Sequence, residues 1–161
     1  MTAPELPLIV EPAELEPRLG QPGLLAVDLC ESSTYLQYHI PGAVRLDDGD
    51  LVASRNPVNG LLPNPALLVQ LFSRIGIGPE TRVVAYDDEG GGHAARLIWT
   101  LEVLGHRAAS LLNGGLFSWA NEGHPLEAGQ VEPQPAQFKA QVDPEPLADA
   151  EFILRRLNQP E

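Results

Sequence analysis

From Arg82 to Arg96 the chain reads Arg-Val-Val-Ala-Tyr-Asp-Asp-Glu-Gly-Gly-Gly-His-Ala-Ala-Arg, and this stretch restricts the fold more than any other. Arg82 to Tyr86 has the length and the β-branched side chains of a buried parallel strand, which needs covering layers on both of its faces. Gly90, Gly91 and Gly92 let the backbone turn tightly into the helix formers that begin at Ala94. A strand, a turn and a helix N-terminus together form a nest of backbone N–H groups at the positive end of a dipole, a place suited to an anion or a thiolate. The first loop positions, however, are Asp87, Asp88 and Glu89. Carboxylates held by those N–H groups would fill the nest and repel an anionic substrate. Two unit charges ~4 Å apart cost about 4 kcal/mol at the effective dielectric of a protein surface.

The remaining pattern supplies the layers that such a strand requires. Leu6 to Val10 reads as a first strand, and Pro12 to Glu16 as a short helix with proline in its first turn. Leu24 to Leu29 is a second strand that ends at Cys30. Thr34 to Tyr38 gives one or two helical turns closed by His39-Ile40-Pro41-Gly42, and Ala43 to Leu46 extends again. The polar stretch from Asp47 to Gly60 reads as a loop. Asn64 caps a helix with Pro65 at its first position, Leu67, Leu68, Leu71, Phe72 and Ile75 recur with helical period, and Gly76 stops it. A helix from about His93 to Leu104, a strand from Ala109 to Leu112, an Asn113-Gly114-Gly115 turn and a helical piece from Leu116 to Ala120 complete the pattern. Strands alternating with helices predict βαβ units and a mainly parallel sheet covered on both faces.

Composition narrows the function. With 161 residues, 43% of them hydrophobic, the chain suits one core that needs no disulfide or metal staple. A net charge of -12 sets nucleic acid and anionic lipid surfaces aside as partners. The single cysteine, Cys30, forbids an internal disulfide and a multi-cysteine zinc site. His39, His93, His106 and His124 lie far apart in the sequence, so no metal site is expected, nor any cofactor. No apolar run approaches the ~20 residues needed to cross a bilayer, and the first residues lack a basic region followed by an apolar one. A cytoplasmic protein without membrane contact is the expectation. From Val131 the texture changes. Residues 131–146 read as a Pro-rich linker, and residues 147–161 as an amphipathic helix built on Leu147, Phe152, Ile153, Leu154 and Leu157, with nothing of its own to pack on.

Several of these pieces together resemble the rhodanese (thiosulfate sulfurtransferase) superfamily: Val27-Asp28-Leu29, Tyr38-His39-Ile40-Pro41-Gly42-Ala43, the strand and loop Val83 to Arg96, Leu104-Gly105-His106, and Leu112-Asn113-Gly114-Gly115-Leu116 followed by Trp119. The resemblance implies a three-layer α/β fold with a mainly parallel central sheet of about five strands and helices on both faces. It also implies that the loop after Tyr86 is where such enzymes carry a catalytic cysteine, whose thiolate takes up sulfane sulfur as a persulfide and passes it on. Here that position is Asp87, and a carboxylate carries no persulfide. First domains of tandem sulfurtransferases in this family characteristically lack the cysteine and often have aspartate after the strand. The resemblance therefore divides the chain into a rhodanese-like domain lacking the catalytic Cys (1–130), the linker (131–146) and a helix (147–161) that begins a second, catalytic rhodanese domain, its expected partner.

On this reading the chain has no catalytic residue. Asp87, Asp88, Glu89, Gly90, Gly91, Gly92, His93 and Arg96 form a pseudo-active loop, with Arg96 placed to pair with one of its three carboxylates. His93 has no serine, threonine or cysteine beside it to activate. Cys30 reads as a half-buried strand-end residue, the alternative being a substitute sulfur acceptor. Asp28 and His39 are expected to fix loops, and Trp99 and Trp119 to lie in the core. The competing function is a free-standing, inactive rhodanese-like interaction or regulatory module. A phosphatase or arsenate reductase on a related fold needs a Cys-x5-Arg loop and fails at Asp87.

Overall fold

The computed structural model describes residues 5–157 and 159. Its centre is a five-stranded parallel sheet of β1 (Ile9–Val10), β2 (Leu24–Asp28), β3 (Val44–Arg45), β6 (Arg82–Tyr86) and β7 (Ala109–Leu112), in the spatial order β1-β7-β6-β2-β3. β6 is the middle strand, and alternation along it explains the layering. Val83 and Ala85 enter one apolar cluster, while Val84 and Tyr86 enter the other. Leu29 and Val27 of the adjoining strand segment side with the first pair, and Ala26 and Cys30 with the second. A period of two with both faces apolar leaves solvent no side to occupy.

Two helices cover the first face, α3 (Pro65–Ile75) and α4 (Gly92–Val103). The second face is covered by α1 (Pro12–Leu15) and α5 (Gly115–Asn121), through Leu15, Leu116 and Trp119, and by Ile40 in the turn that follows α2 (Ser32–Gln37). α3 forms as its sequence requires: the Asn64 side chain accepts from the Ala66 N–H, Pro65 opens the first turn, and Gly76 ends it at φ +99°. The first strand is shorter than the apolar run Leu6 to Val10, because only Ile9 and Val10 lie in register with β7, opposite Leu111 and Leu112.

The polar stretch 47–60 is not a plain loop. A 3-10 turn at Asp48–Leu51 buries Leu51, and β4 (Ala53–Arg55) pairs antiparallel with β5 (Val58–Leu61) around an Asn56-Pro57 turn. Its polarity hid it, since most of the hairpin's side chains face solvent.

Residues 131–146 are extended, and they lie along the domain. The Ala136 N–H donates to the Ser73 carbonyl, Phe138 N–H to the Ser73 hydroxyl, Gln141 N–H to the Leu104 carbonyl and Asp143 N–H to the Val103 carbonyl. Phe138 is buried edge-on to Phe72 in the core of the first face. The structural domain thus continues well past residue 130. Beyond it stands α6 (Ala150–Arg156), capped by Asp149, with Phe152, Ile153 and Leu154 exposed.

Candidate functional site

The strand order reverses between β6 and β2, and open parallel sheets bind ligands at the carboxyl ends of strands at such a point. Asp87, with 1% of its surface exposed, leaves β6 there. Its carboxylate turns inward: Oδ1 accepts from the N–H groups of Glu89 (2.9 Å) and Gly91 (2.8 Å), and Oδ2 from the N–H of Ala94 in the first turn of α4 (2.9 Å). These are the donors a strand-loop-helix nest offers to an anion, and here the chain's own carboxylate takes them. Gly91, at φ +93°, turns the loop into α4. The second Gly-rich turn fixes the loop from the other side. The Leu116 N–H donates to the Asp87 carbonyl at 3.0 Å, and a Cβ on Gly115 would stand 2.3 Å from that oxygen.

Asp88 and Glu89 point away from this nest. Glu89 and Asp48 flank His93, whose Nε2 lies 3.9 Å and 3.6 Å from their carboxylates. With Glu31, Asp47 and the edge of Cys30 they line a cleft of about 90 Å³. The loop 87–92 itself contains no hydroxyl or thiol for His93 to activate. Among the described residues no three His, Cys, Asp or Glu side chains are grouped to hold a metal ion.

Arg96 corrects one expectation, for it pairs with none of Asp87, Asp88 and Glu89 among the described residues. Its guanidinium donates to the carbonyls of Leu51 (3.1 and 3.2 Å), Gly60 and Leu61 (both 3.1 Å) and lies over the Trp99 ring. The cause is helical phase: two residues past Ala94, whose side chain is buried in the first-face core, a side chain points about 200° around the axis, away from that core. Arg96 meets the hairpin that the sequence did not reveal, and the loop is closed by backbone donors instead.

Cys30 is fully buried rather than half-buried, with 2% exposure. Burial, and then the charge of Asp28, push its thiol far above the usual range, which disfavours the thiolate that sulfur transfer needs. Asp28 accepts from the Cys30 N–H at 2.7 Å, and its other oxygen is buried without a partner. His39 fixes the turn 39–42. Its Nδ1 lies 2.7 Å from the Tyr35 carbonyl and its Nε2 3.1 Å from Glu127, which also accepts from the Gly42 N–H. Glu127 was missed in the sequence because its partners lie more than eighty positions away. Trp119 is in the core as expected, whereas Trp99 is only partly buried and donates from Nε1 to the Pro146 carbonyl.

A family model described as the rhodanese-like domain matches residues 11–122. The chain belongs to the rhodanese family. It is 42% identical over 153 residues to a thiosulfate sulfurtransferase of Pseudomonas aeruginosa, an alignment covering 95% of this chain and 56% of that protein. Human 3-mercaptopyruvate sulfurtransferase is 36% identical over 155 residues, covering 88% of this chain and 51% of the human protein. Among solved structures, a 3-mercaptopyruvate sulfotransferase from Escherichia coli superposes with a TM-score of 0.83 at 27% identity, over 92% of this chain and 60% of that one. This rhodanese-like chain spans about half the length of the curated relatives it matches. None of its described helices is long and apolar enough to cross a membrane.

Proposed function

We propose that this chain is the non-catalytic N-terminal domain of a thiosulfate sulfurtransferase, in which a second rhodanese domain carries the reactive cysteine. In that reaction a thiolate attacks the sulfane sulfur of thiosulfate, sulfite leaves, and the resulting persulfide passes its outer sulfur to cyanide or another thiophilic acceptor. The observation that carries the reading is the Asp87 carboxylate seated on three backbone N–H groups where the nucleophile of the family is expected. The family's cradle is complete here, and its occupant has no sulfur chemistry.

An internal repeat supports a second domain on the carboxyl side. Glu11, Leu15, Arg18, Leu19, Gln21 and Pro22 recur in order and spacing as Asp149, Ile153, Arg156, Leu157, Gln159 and Pro160. Glu11 and Asp149 both occupy the position before the first helical turn. Leu15 is fully buried against its sheet, whereas Ile153 is 47% exposed, as a first helix would be without the sheet it belongs to. One buried thiol and no disulfide suit a reducing cytoplasm. The partner is then the catalytic domain of the same polypeptide, and thiosulfate, named for several relatives, is the donor.

Residues 1–161 alone are expected to show no transfer of sulfur from thiosulfate to cyanide, measured as thiocyanate formed. Turnover that Cys30→Ser abolishes would sink the non-catalytic reading. The intact mass of the natural gene product separates a tandem enzyme from a free-standing module.

A further inference from the structure

At the end of α5 remote from the loop, His124 lies against the Trp119 ring, centroids 4.8 Å apart, and its backbone N–H donates to the Trp119 carbonyl. Its Nδ1 meets a carboxylate oxygen of Glu16, in the 3-10 turn Glu16–Arg18 that follows α1. Its Nε2 lies 3.2 Å from a carboxylate oxygen of Glu122, the residue that ends α5. Only 12% of the imidazole side chain is exposed, against 44% for Glu16 and 49% for Glu122. Among the described residues these two carboxylates are the charged groups that face the ring.

An ionised carboxylate only accepts hydrogen bonds, and a neutral imidazole has a single N–H to give. A ring with a carboxylate at each nitrogen therefore satisfies both only as the imidazolium, which donates twice. The negative end of the α5 dipole favours the same charge. We propose that His124 is a pH-operated clamp: the imidazolium joins Glu16 to Glu122 and fastens the segment after α1 to the end of α5, and the neutral ring lets one carboxylate go. Glu16 adjoins Leu15, which is fully buried with Trp119 in the second-face core. The clamp thus closes the outer edge of that core between residues 108 positions apart. Hydrogen bonding to Glu16 raises the pKa of His124 above the ordinary histidine value, with burial opposing the rise and Glu122 adding to it. The stabilisation is then complete below the ordinary value and is lost as pH rises through the raised one. Every group in the clamp belongs to this chain, so it operates whether or not a second domain follows.

Proton and nitrogen NMR of residues 1–161 between pH 5 and 9 tests it, with the His124 ring signals assigned by their loss in His124→Gln. The ring should titrate above the ordinary histidine value of about 6.5. The backbone amides of Leu15, Glu16, Arg18 and Glu122 should shift with the same midpoint, and those of α3 should not follow it. In Glu16→Gln, a change at a part-exposed side chain, the ring and amide midpoints should fall together. His124→Gln keeps one donor; it should raise the urea unfolding equilibrium constant about threefold at pH 5.5 and leave it unchanged at pH 9. A ring midpoint at or below the ordinary value, amides after α1 that ignore it, a midpoint indifferent to Glu16→Gln, or equal destabilisation at both pH values would each overturn the clamp.

Discussion

Asp87 and Asp28 are both buried aspartates at strand ends, and their surroundings give them opposite roles. Asp87 has three backbone donors, whereas Asp28 has one and an oxygen without a hydrogen-bond partner. Burial raises the pKa of Asp28, with the nearby Tyr86 hydroxyl and the Cys30 N–H opposing it. A carboxyl that binds its proton more tightly when folded adds stability below its unfolded pKa, and that contribution disappears as pH rises through the folded value. Asp28→Asn keeps the acceptor for the Cys30 N–H and removes the charge. It should raise the melting temperature at pH 7 and flatten the acid side of the stability profile, followed by thermal unfolding from pH 3 to 8. For the loop, Asp87→Cys supplies a thiol to the nest, yet Asp88 and Glu89 still repel a dianionic donor. Thiocyanate production should stay far below that of a two-domain relative, and a robustly active variant would show that repulsion to be overstated.

Among the elements, the extended strap 131–143 has the least regular structure and some of the most consequential contacts. It starts from the Tyr35 hydroxyl, which accepts from the Val131 N–H, crosses α3 at Ser73 and reaches the end of α4. Phe138 is its anchor, packed against Phe72 and His106. Phe138→Ala leaves a cavity in the first-face core and should cost about 3–5 kcal/mol in urea unfolding, with the slope of the transition unchanged. A loss below about 1 kcal/mol would return the segment to the status of a linker. Arg96 works similarly for the hairpin, since its planar fork satisfies three carbonyls that the more compact lysine ammonium would satisfy less well.

At the scale of the molecule, a sheet with both faces apolar, an edge lined with carboxylates and a helix with exposed apolar side chains fit the tandem reading proposed above. The cradle is formed, and the carboxylate of Asp87 occupies its backbone donors.

Sequence alone determined the layers, the parallel sheet and the position of the loop, because these follow from local signals: a five-residue apolar strand, Asn64 and Gly76 at the ends of α3, and glycines where the backbone turns. It also fixed the absence of cysteine at residue 87, which is a matter of identity rather than geometry. Only the tertiary structure decided that Asp87 takes the N–H groups while Arg96 turns to the hairpin, that Cys30 is wholly buried, and that Phe138 belongs to the core. Each of these depends on partners far away in the chain, and hydrogen bonds and burial between distant residues leave no period or spacing in the sequence to be read.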